Sequence, residues 1–269
     1  RLEARLIASR LQIPTPPRRI VIIGAGIAGA CTANAFLRRG CDVTVIDKGP
    51  APGTAASGNP IALVMPRLDA TDSATARALV EAWLYARRFY KNLSADAAQP
   101  LDALHLPRGE KEQQRFAKLL ADPPLDSDIL RASGDGLRHI GAIAVRPANA
   151  LPRLLDGATL SFNTAINSLA DIEADLVVVC AGIGLTDLDT NAPALAGRLG
   201  QVESTPASGV PSAIADGGYA VQAFDTLVFG ATFEAANGDP QVTDAARLHN
   251  LEILARLRAL GHVPIYVEA

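Results

Sequence analysis

No apolar run in these 269 residues reaches the roughly 18 needed to cross a bilayer. The longest, Ile20–Ile23 and Leu176–Ala181, are the length of buried strands, so no membrane partner is expected. Cysteine is scarce. Cys31, Cys41 and Cys180 are an odd number in apolar settings, which argues against a disulfide framework and for buried thiols in a reducing compartment. A cytoplasmic location is therefore expected. The four His are scattered without metal-ligand spacing, and no metal site is expected. There is no internal repeat. There is no excess of positive charge either: 25 Lys and Arg against 28 Asp and Glu leave −3, which argues against a protein that coats nucleic acid while leaving room for a local basic patch. The pairs Arg38–Arg39 and Arg87–Arg88 read most simply as solvated helix faces. The only Met is Met65 and the first residue is Arg1, so a fragment or a processed form of a longer chain is expected.

The chain is 49 % apolar and 20 % charged, enough apolar surface to offset the entropy of ordering. Its length suits one large domain or two modest ones. Arg1–Gln12 alternates Arg with Leu and Ile at helical spacing, and the prolines of Ile13–Pro17 break it. Residues 1–18 thus read as an arm and linker; a fraying arm, the tail of a preceding domain and an Arg-rich transit peptide all remain open. Arg19–Ile23 predicts a strand, a helix pattern follows to Arg39 with Gly40 as its cap, and Asp42–Ile46 predicts a second strand. Residues 48–68 read as a Gly/Pro/Ser loop passing into a mixed stretch, Ile61–Leu68. Ser73–Leu93 is the clearest helix, with Ala76, Leu79, Val80, Trp83, Arg87 and Tyr90 on one face and Thr71, Asp72 and Ser73 as caps. Glu110–Leu120 predicts another helix, and residues 121–139, with two Pro, two Gly and several Asp, predict a loop. Strands are expected at Gly141–Val145, Thr159–Ile166 and Leu176–Cys180, with a short helix at Asn149–Leu155. Tyr219–Ala223 and Thr226–Thr232 flank a hairpin turn at Phe224-Asp225, and a last helix runs from Asp244 to Leu260 with Gly261 as its cap.

The strongest signal is Gly24-Ala25-Gly26-Ile27-Ala28-Gly29. Gly24 permits a tight strand-to-helix turn, Gly26 lets a pyrophosphate approach the backbone, and Gly29 lets helix and strand pack closely. A bare GxGxxG is weak, but this one follows a strand, opens a helix and has Asp47 at the end of the next strand. Asp47 can accept a ribose hydroxyl and would repel a 2′-phosphate, so an ADP-containing dinucleotide other than NADP is expected. The late return to a strand at Leu176–Cys180 suggests a nucleotide domain split by insertions, which favours FAD over NAD.

Arg19–Asp47 resembles the dinucleotide fingerprint of the D-amino-acid oxidase and glycine oxidase family of flavoproteins. Within that family, Ala55–Leu68 (AASGNPIALVMPRL) is similar to the "GASGNPxGLxxPxL" segment of the MnmC family, the bifunctional tRNA 5-methylaminomethyl-2-thiouridine biosynthesis proteins. Gly141–Pro147 is similar to "GGWxxPP", Ala174–Gly182 to "ADxVVxAxG" and Gly230–Glu234 to "GATxE". The resemblance runs from about residue 19 to 258. It implies an α/β fold, a Rossmann-like FAD-binding domain with an inserted mixed-sheet substrate domain. The approximate limits are 19–70 and 141–200 for the first, 71–140 and 201–269 for the second. It implies FAD on Gly24–Gly29, Asp47 and Lys48, with Ser57, Gly58 and Asn59 along the pyrophosphate and ribityl chain. Ala62, Leu63 and Val64 would approach the flavin ring, Ile166 the adenine, and Ala181 and Gly182 the pyrophosphate.

The resemblance further implies oxidation of the carboxymethylaminomethyl group on the wobble uridine of tRNA, with release of glyoxylate, in the company of an upstream methyltransferase domain. A free amino-acid or secondary-amine oxidase of the same fold is the alternative, and a flavin-binding module without catalysis is a third reading. No catalytic residue is singled out. Arg67 and Arg146 are possible carboxylate-side cations, each with a structural role as its alternative, and Glu234 is a further substrate-side candidate. A tRNA substrate would call on Arg18, Arg19, Arg38, Arg39, Arg87, Arg88 and Lys91. The family pattern continues into an "RPxTxDGxPxxG" segment that carries a carboxylate-binding Arg. This sequence ends at Ala269 before it, and Asn167–Asp175 is shorter than the usual hairpin, so missing residues are expected rather than a degenerate protein.

Overall fold

The computed structural model describes residues 17–188, 195–235 and 241–260. The predicted arm as far as Pro16 and the proposed cap Gly261 lie outside the described residues. The chain forms two compact units: one from the described residues up to Thr54 and from Leu154 to 188, the other from Ala55–Arg153 and the described residues beyond 194. The first unit is therefore interrupted in sequence by part of the second. Residues 55–70 and 141–153, grouped by sequence with the nucleotide domain, pack in the second unit because strands 62–64 and 136–145 pair there.

The first unit is a four-stranded parallel sheet. Its strands are β1 (Arg19–Ile23), β2 (Asp42–Ile46), β7 (Thr159–Ser161) and β8 (Leu176–Val179), in the order β7-β2-β1-β8. Helix α1 (Ile27–Leu37) packs on β1 and β2, burying Gly29, Ala30 and Ala33. Small residues on that face let helix and sheet approach closely. β1 and β2 fall where the sequence places them. β7 is shorter than the predicted Thr159–Ile166. The backbone turns at Asn163 (φ 54°), and the amides of Asn163 and Thr164 donate to Gly49 and Asp47 instead of extending the ladder.

The second unit holds an eight-stranded mixed sheet. In chain order its strands are β3 (Ala62–Val64), β4 (Ala98–His105), β5 (Leu130–Ser133), β6 (Gly136–Val145), β10 (Val202–Pro206), β11 (Ser212–Ala215), β12 (Tyr219–Ala223) and β13 (Thr226–Gly230). The order is β10-β13-β12-β11-β4-β6-β3, with β5 on β6; only β11 and β4 run parallel. A two-residue ladder joins β9 (Arg198–Leu199) to β14 (Glu234–Ala235). Side chains alternate between faces. Ala103, Ala213, Val221, Ala223 and Val228 share one apolar cluster, while Ile214, Ala220, Leu227 and Phe229 pack in another with Ile253, Leu254 and Leu257. Those last three lie on α5 (Asp244–Ala259), which is N-capped by Thr243; each contributes about 1.5–3 kcal/mol through burial. Helices α2 (Ala74–Lys91) and α3 (Glu110–Ala121) enclose a third cluster around Trp83, Phe116 and Leu137, and α4 spans Pro147–Leu154. Ser73 caps α2 by accepting from the Ala76 amide.

The loop predicted over 121–139 is corrected: it holds β5 and the first residues of β6, joined by a tight turn at Gly134-Asp135. Gly134, Asp135 and Gly136, among the residues that suggested a loop, make this hairpin's turn. The strand predicted at Thr226–Thr232 ends at Gly230, and α4 starts at Pro147, a residue suited to the first helical turn. β4, β10 and β11 had no counterpart in the sequence reading.

Candidate functional site

In the first unit the chain runs from β1 to β2 on one side and returns much later to β8 on the other. The point where strand order reverses, outside the carboxyl ends of the strands, is where open α/β sheets bind ligands. Gly24 sits there. Its amide donates to Ile46 O at 2.8 Å, and Cys180 N donates to Ile23 O at 2.7 Å. Gly24 has φ 107°, and a Cβ on it would lie 2.5 Å from Cys180 O and 3.3 Å from Ala181 N. A Cβ on Gly29 would lie 1.8 Å from Gly24 O. Both positions must be glycine for β1, β8 and α1 to meet.

Gly26 is the N-cap of α1 and makes no side-chain cap bond; the first turn carries no acidic residue. The amides and dipole at the start of a helix make this turn a suitable seat for a phosphate. Asp47 closes the other side: Oδ2 accepts from the Ala25 amide at 2.6 Å, and Oδ1 accepts from the Gly49 amide at 2.7 Å. Each carboxylate oxygen retains acceptor capacity for a hydroxyl donor. The Gly53 amide donates to Ala25 O at 3.2 Å, tying the following loop to the glycine turn. The part of Gly49 was not read from sequence, although Asp-Lys-Gly at a strand end is the signature of an Asx turn.

The other expected residues fall as follows. Lys48 is exposed beside Asp47 in sequence, and Ile166 is half-buried in the loop after β7. Ala181 abuts Gly24, and Gly182 is exposed with φ 58°. Burial raises the Cys180 thiol pKa, with a Thr32 hydrogen bond opposing it. Ser57, Gly58, Asn59 and Ala62–Val64 belong to the second unit. Ser57 and Asn59 are half-buried, Gly58 is exposed, and Ala62–Val64 form β3, a partly exposed strand at the edge of the large sheet. Arg67 is exposed after β3. The Arg146 guanidinium donates to Phe224 O and lies 4.6 Å from the centre of the Phe224 ring, so it is engaged in holding the β12–β13 hairpin. Glu234 is exposed on β14. The amides of Arg18 and Arg19 donate to Asp175, which lowers the pKa of that carboxyl, and Arg39 donates to Ala35 O at 2.6 Å. Arg87, Arg88 and Lys91 lie at the end of α2.

Residues 19–261 match the DAO family of FAD-dependent oxidoreductases. The chain belongs to this family. It is an FAD-dependent oxidoreductase, and FAD is the family's cofactor. Among curated relatives, the tRNA 5-methylaminomethyl-2-thiouridine biosynthesis bifunctional protein MnmC of Caulobacter vibrioides is 32 % identical over 265 residues, covering 89 % of this chain and 44 % of that protein. The protein of the same name from Thiobacillus denitrificans is 28 % identical, covering 94 % and 47 % respectively. The chain thus spans a little under half the length of these relatives. Among solved structures, L-proline dehydrogenase from P. horikoshii has a TM-score of 0.66 at 15 % identity, covering 90 % of this chain and 78 % of that one. Glycine oxidase from Bacillus cereus has 0.63 at 17 %, covering 94 % and 81 %. These likenesses show the DAO fold. The glycine turn fits the ADP half of the family's cofactor: the cradle around Gly24 and Gly29 excludes side chains, and no acidic residue lies in the first turn of α1. Among the described residues no helix is long and apolar enough to cross a membrane.

Proposed function

We propose that this chain is the oxidase portion of a tRNA-modifying enzyme that removes the carboxymethyl group from carboxymethylaminomethyl-uridine at the wobble position. The observation that carries the reading is the glycine turn with Asp47 locked into it, in a chain whose curated relatives are named for biosynthesis of this class of tRNA nucleoside. FAD, when bound, supplies the acceptor for the two electrons of a CH–NH bond. The chain's own residues do the holding. The Gly24–Gly29 turn and the start of α1 seat the pyrophosphate, and Asp47 accepts a ribose hydroxyl. Lys48, Ile166, Ala181 and Gly182 complete the adenosine end. Ser57, Gly58 and Asn59 offer small polar groups to the pyrophosphate and ribityl chain, and Ala62–Val64 a slim backbone to the flavin ring. A methyltransferase domain upstream is part of the same reading.

The test is direct. Purified protein should show the visible bands of flavin, and these should bleach anaerobically on addition of tRNA bearing the carboxymethylaminomethyl group, with glyoxylate formed in equal amount. Unchanged tRNA, together with peroxide release from free glycine, sarcosine or D-amino acids, would replace the reading by a free-amine oxidase.

A further inference from the structure

The second unit contains a cavity of about 680 Å³ that the proposed flavin contacts do not use. One wall is the end of α2, with Arg87 and Lys91; the floor is β4, β6, β11 and β12, with Asp102, Arg138 and Gln222. Three cations face one carboxylate, and that carboxylate is itself 3.9 Å from Arg138. The site therefore carries about two net positive charges in a concave, partly apolar setting, where a charge pair is screened less than on open surface.

Two of its polar groups are unsatisfied. Gln222 is 3 % exposed, and among the described residues neither its amide oxygen nor its nitrogen has a hydrogen-bond partner; Arg87 Nε is also buried without one. The Arg87 guanidinium lies 5.6 Å from the centre of the Trp83 ring, and a Cβ on Gly141 would approach its Nη2 to 2.7 Å, so the ring and the bare glycine backbone fix its place. A protein does not ordinarily leave buried donors empty unless something else supplies the acceptor. Fixed guanidinium donors beside an amide suit a phosphate, whose oxygens accept several N–H groups at once.

We propose that this cavity is a phosphate-binding site, and that its occupant is a phosphodiester of the RNA substrate; the phosphate chemistry stands on the cavity alone, while the RNA source rests on the function proposed above. Lys91 and Arg138 supply charge at the mouth, and Arg87 and Gln222 supply directed donors inside.

The experiment uses the FAD-loaded protein and its Lys91→Glu and Lys91→Glu/Arg138→Gln variants; Lys91 is exposed, so the single variant leaves the fold intact. The dissociation constant for an unmodified tRNA transcript is measured across a salt series, with flavin spectrum and thermal midpoint as controls. The expected result is about tenfold weaker binding by the double variant and a salt slope lower by about one per lost contact. Wild-type affinity and slope in both variants, with tRNA still bound, would overturn the phosphate site and leave the proposed function untouched. If wild-type protein binds no tRNA, the RNA reading fails. Titration with AMP then decides the site. Binding that the double variant loses sustains a phosphate site fed by a free nucleotide, and no binding overturns it.

Discussion

At the scale of single residues, the geometry of the glycine turn depends on two glycines and one carboxylate. Gly29→Ala would put a methyl group 1.8 Å from Gly24 O, so helix and strand must separate. Overpacking of this kind costs about 1–3 kcal/mol. The expected outcome is a lower urea midpoint and protein purified without flavin colour. Asp47→Asn is subtler. Two amides, of Ala25 and Gly49, need two acceptors, and a carboxamide offers one oxygen. A loss of about 1–3 kcal/mol in stability and a weaker FAD dissociation constant are expected, read by denaturation and fluorescence titration. A third residue works through pH. His139, on β6, is 1 % exposed with neither ring nitrogen partnered among the described residues, and burial, aided by His105, pushes its imidazole down to about 4. The unfolded chain takes up a proton at this position below its ordinary value of 6.5. This stability is therefore full above about pH 6.5 and is lost as pH falls towards 4, by roughly 3 kcal/mol at most. His139→Leu should flatten that acid limb when urea midpoints at about pH 4.5 and pH 7.5 are compared.

At the scale of elements, the turn between β12 and β13 is a marked local feature. Phe224 and Asp225 both have positive φ, 53° and 57°, the conformation of a type I′ hairpin turn that matches strand twist but disfavours ordinary side chains. Arg146 and Gln99 hold it, through Phe224 O and Phe224 N. Asp225→Gly should raise stability by about 1 kcal/mol, whereas Arg146→Ala should lower it by about 1–2 kcal/mol; chemical denaturation separates the two. Elements were legible where the signal is local. β1, α1 and β2 are neighbours in sequence, and the turn at Phe224-Asp225 lies between two β-rich runs. β4 was not legible. It is a central strand carrying Pro100 and Asp102, residues that argue against that position, and a register shift between Leu101 and Ala103 accommodates them. β10 and β11 are five and four residues long, and their partners β13 and β12 fix them from further along the chain.

At the scale of the molecule, the family and its cofactor were readable because a phosphate-binding turn demands particular residues at particular spacings. The cavity beneath α2 was not. Arg87 and Lys91 stood out as a basic cluster, but Arg138 and Gln222 reach them only through the pairing of β4 with β6 and β11, which spacing along the chain does not reveal. Ligand linkage gives a test at this scale. FAD at about a hundredfold excess over its dissociation constant should add about 2.7 kcal/mol to the stability of the native state, and scanning calorimetry should show that gain shrink in Asp47→Asn.

The interrupted sheet also sets a timetable for synthesis. β1 and β2 emerge from the ribosome before β8, whose end supplies the Cys180 carbonyl that walls in Gly24 and which follows Ile46 by about 130 residues. At about 5–20 residues per second, the nascent half-sheet waits roughly 7–26 s with one side of β1 unpaired. During that interval the nucleotide turn lacks its wall. Completion of the turn thus waits for β8, and over that interval a holding chaperone would have a defined strand edge to guard.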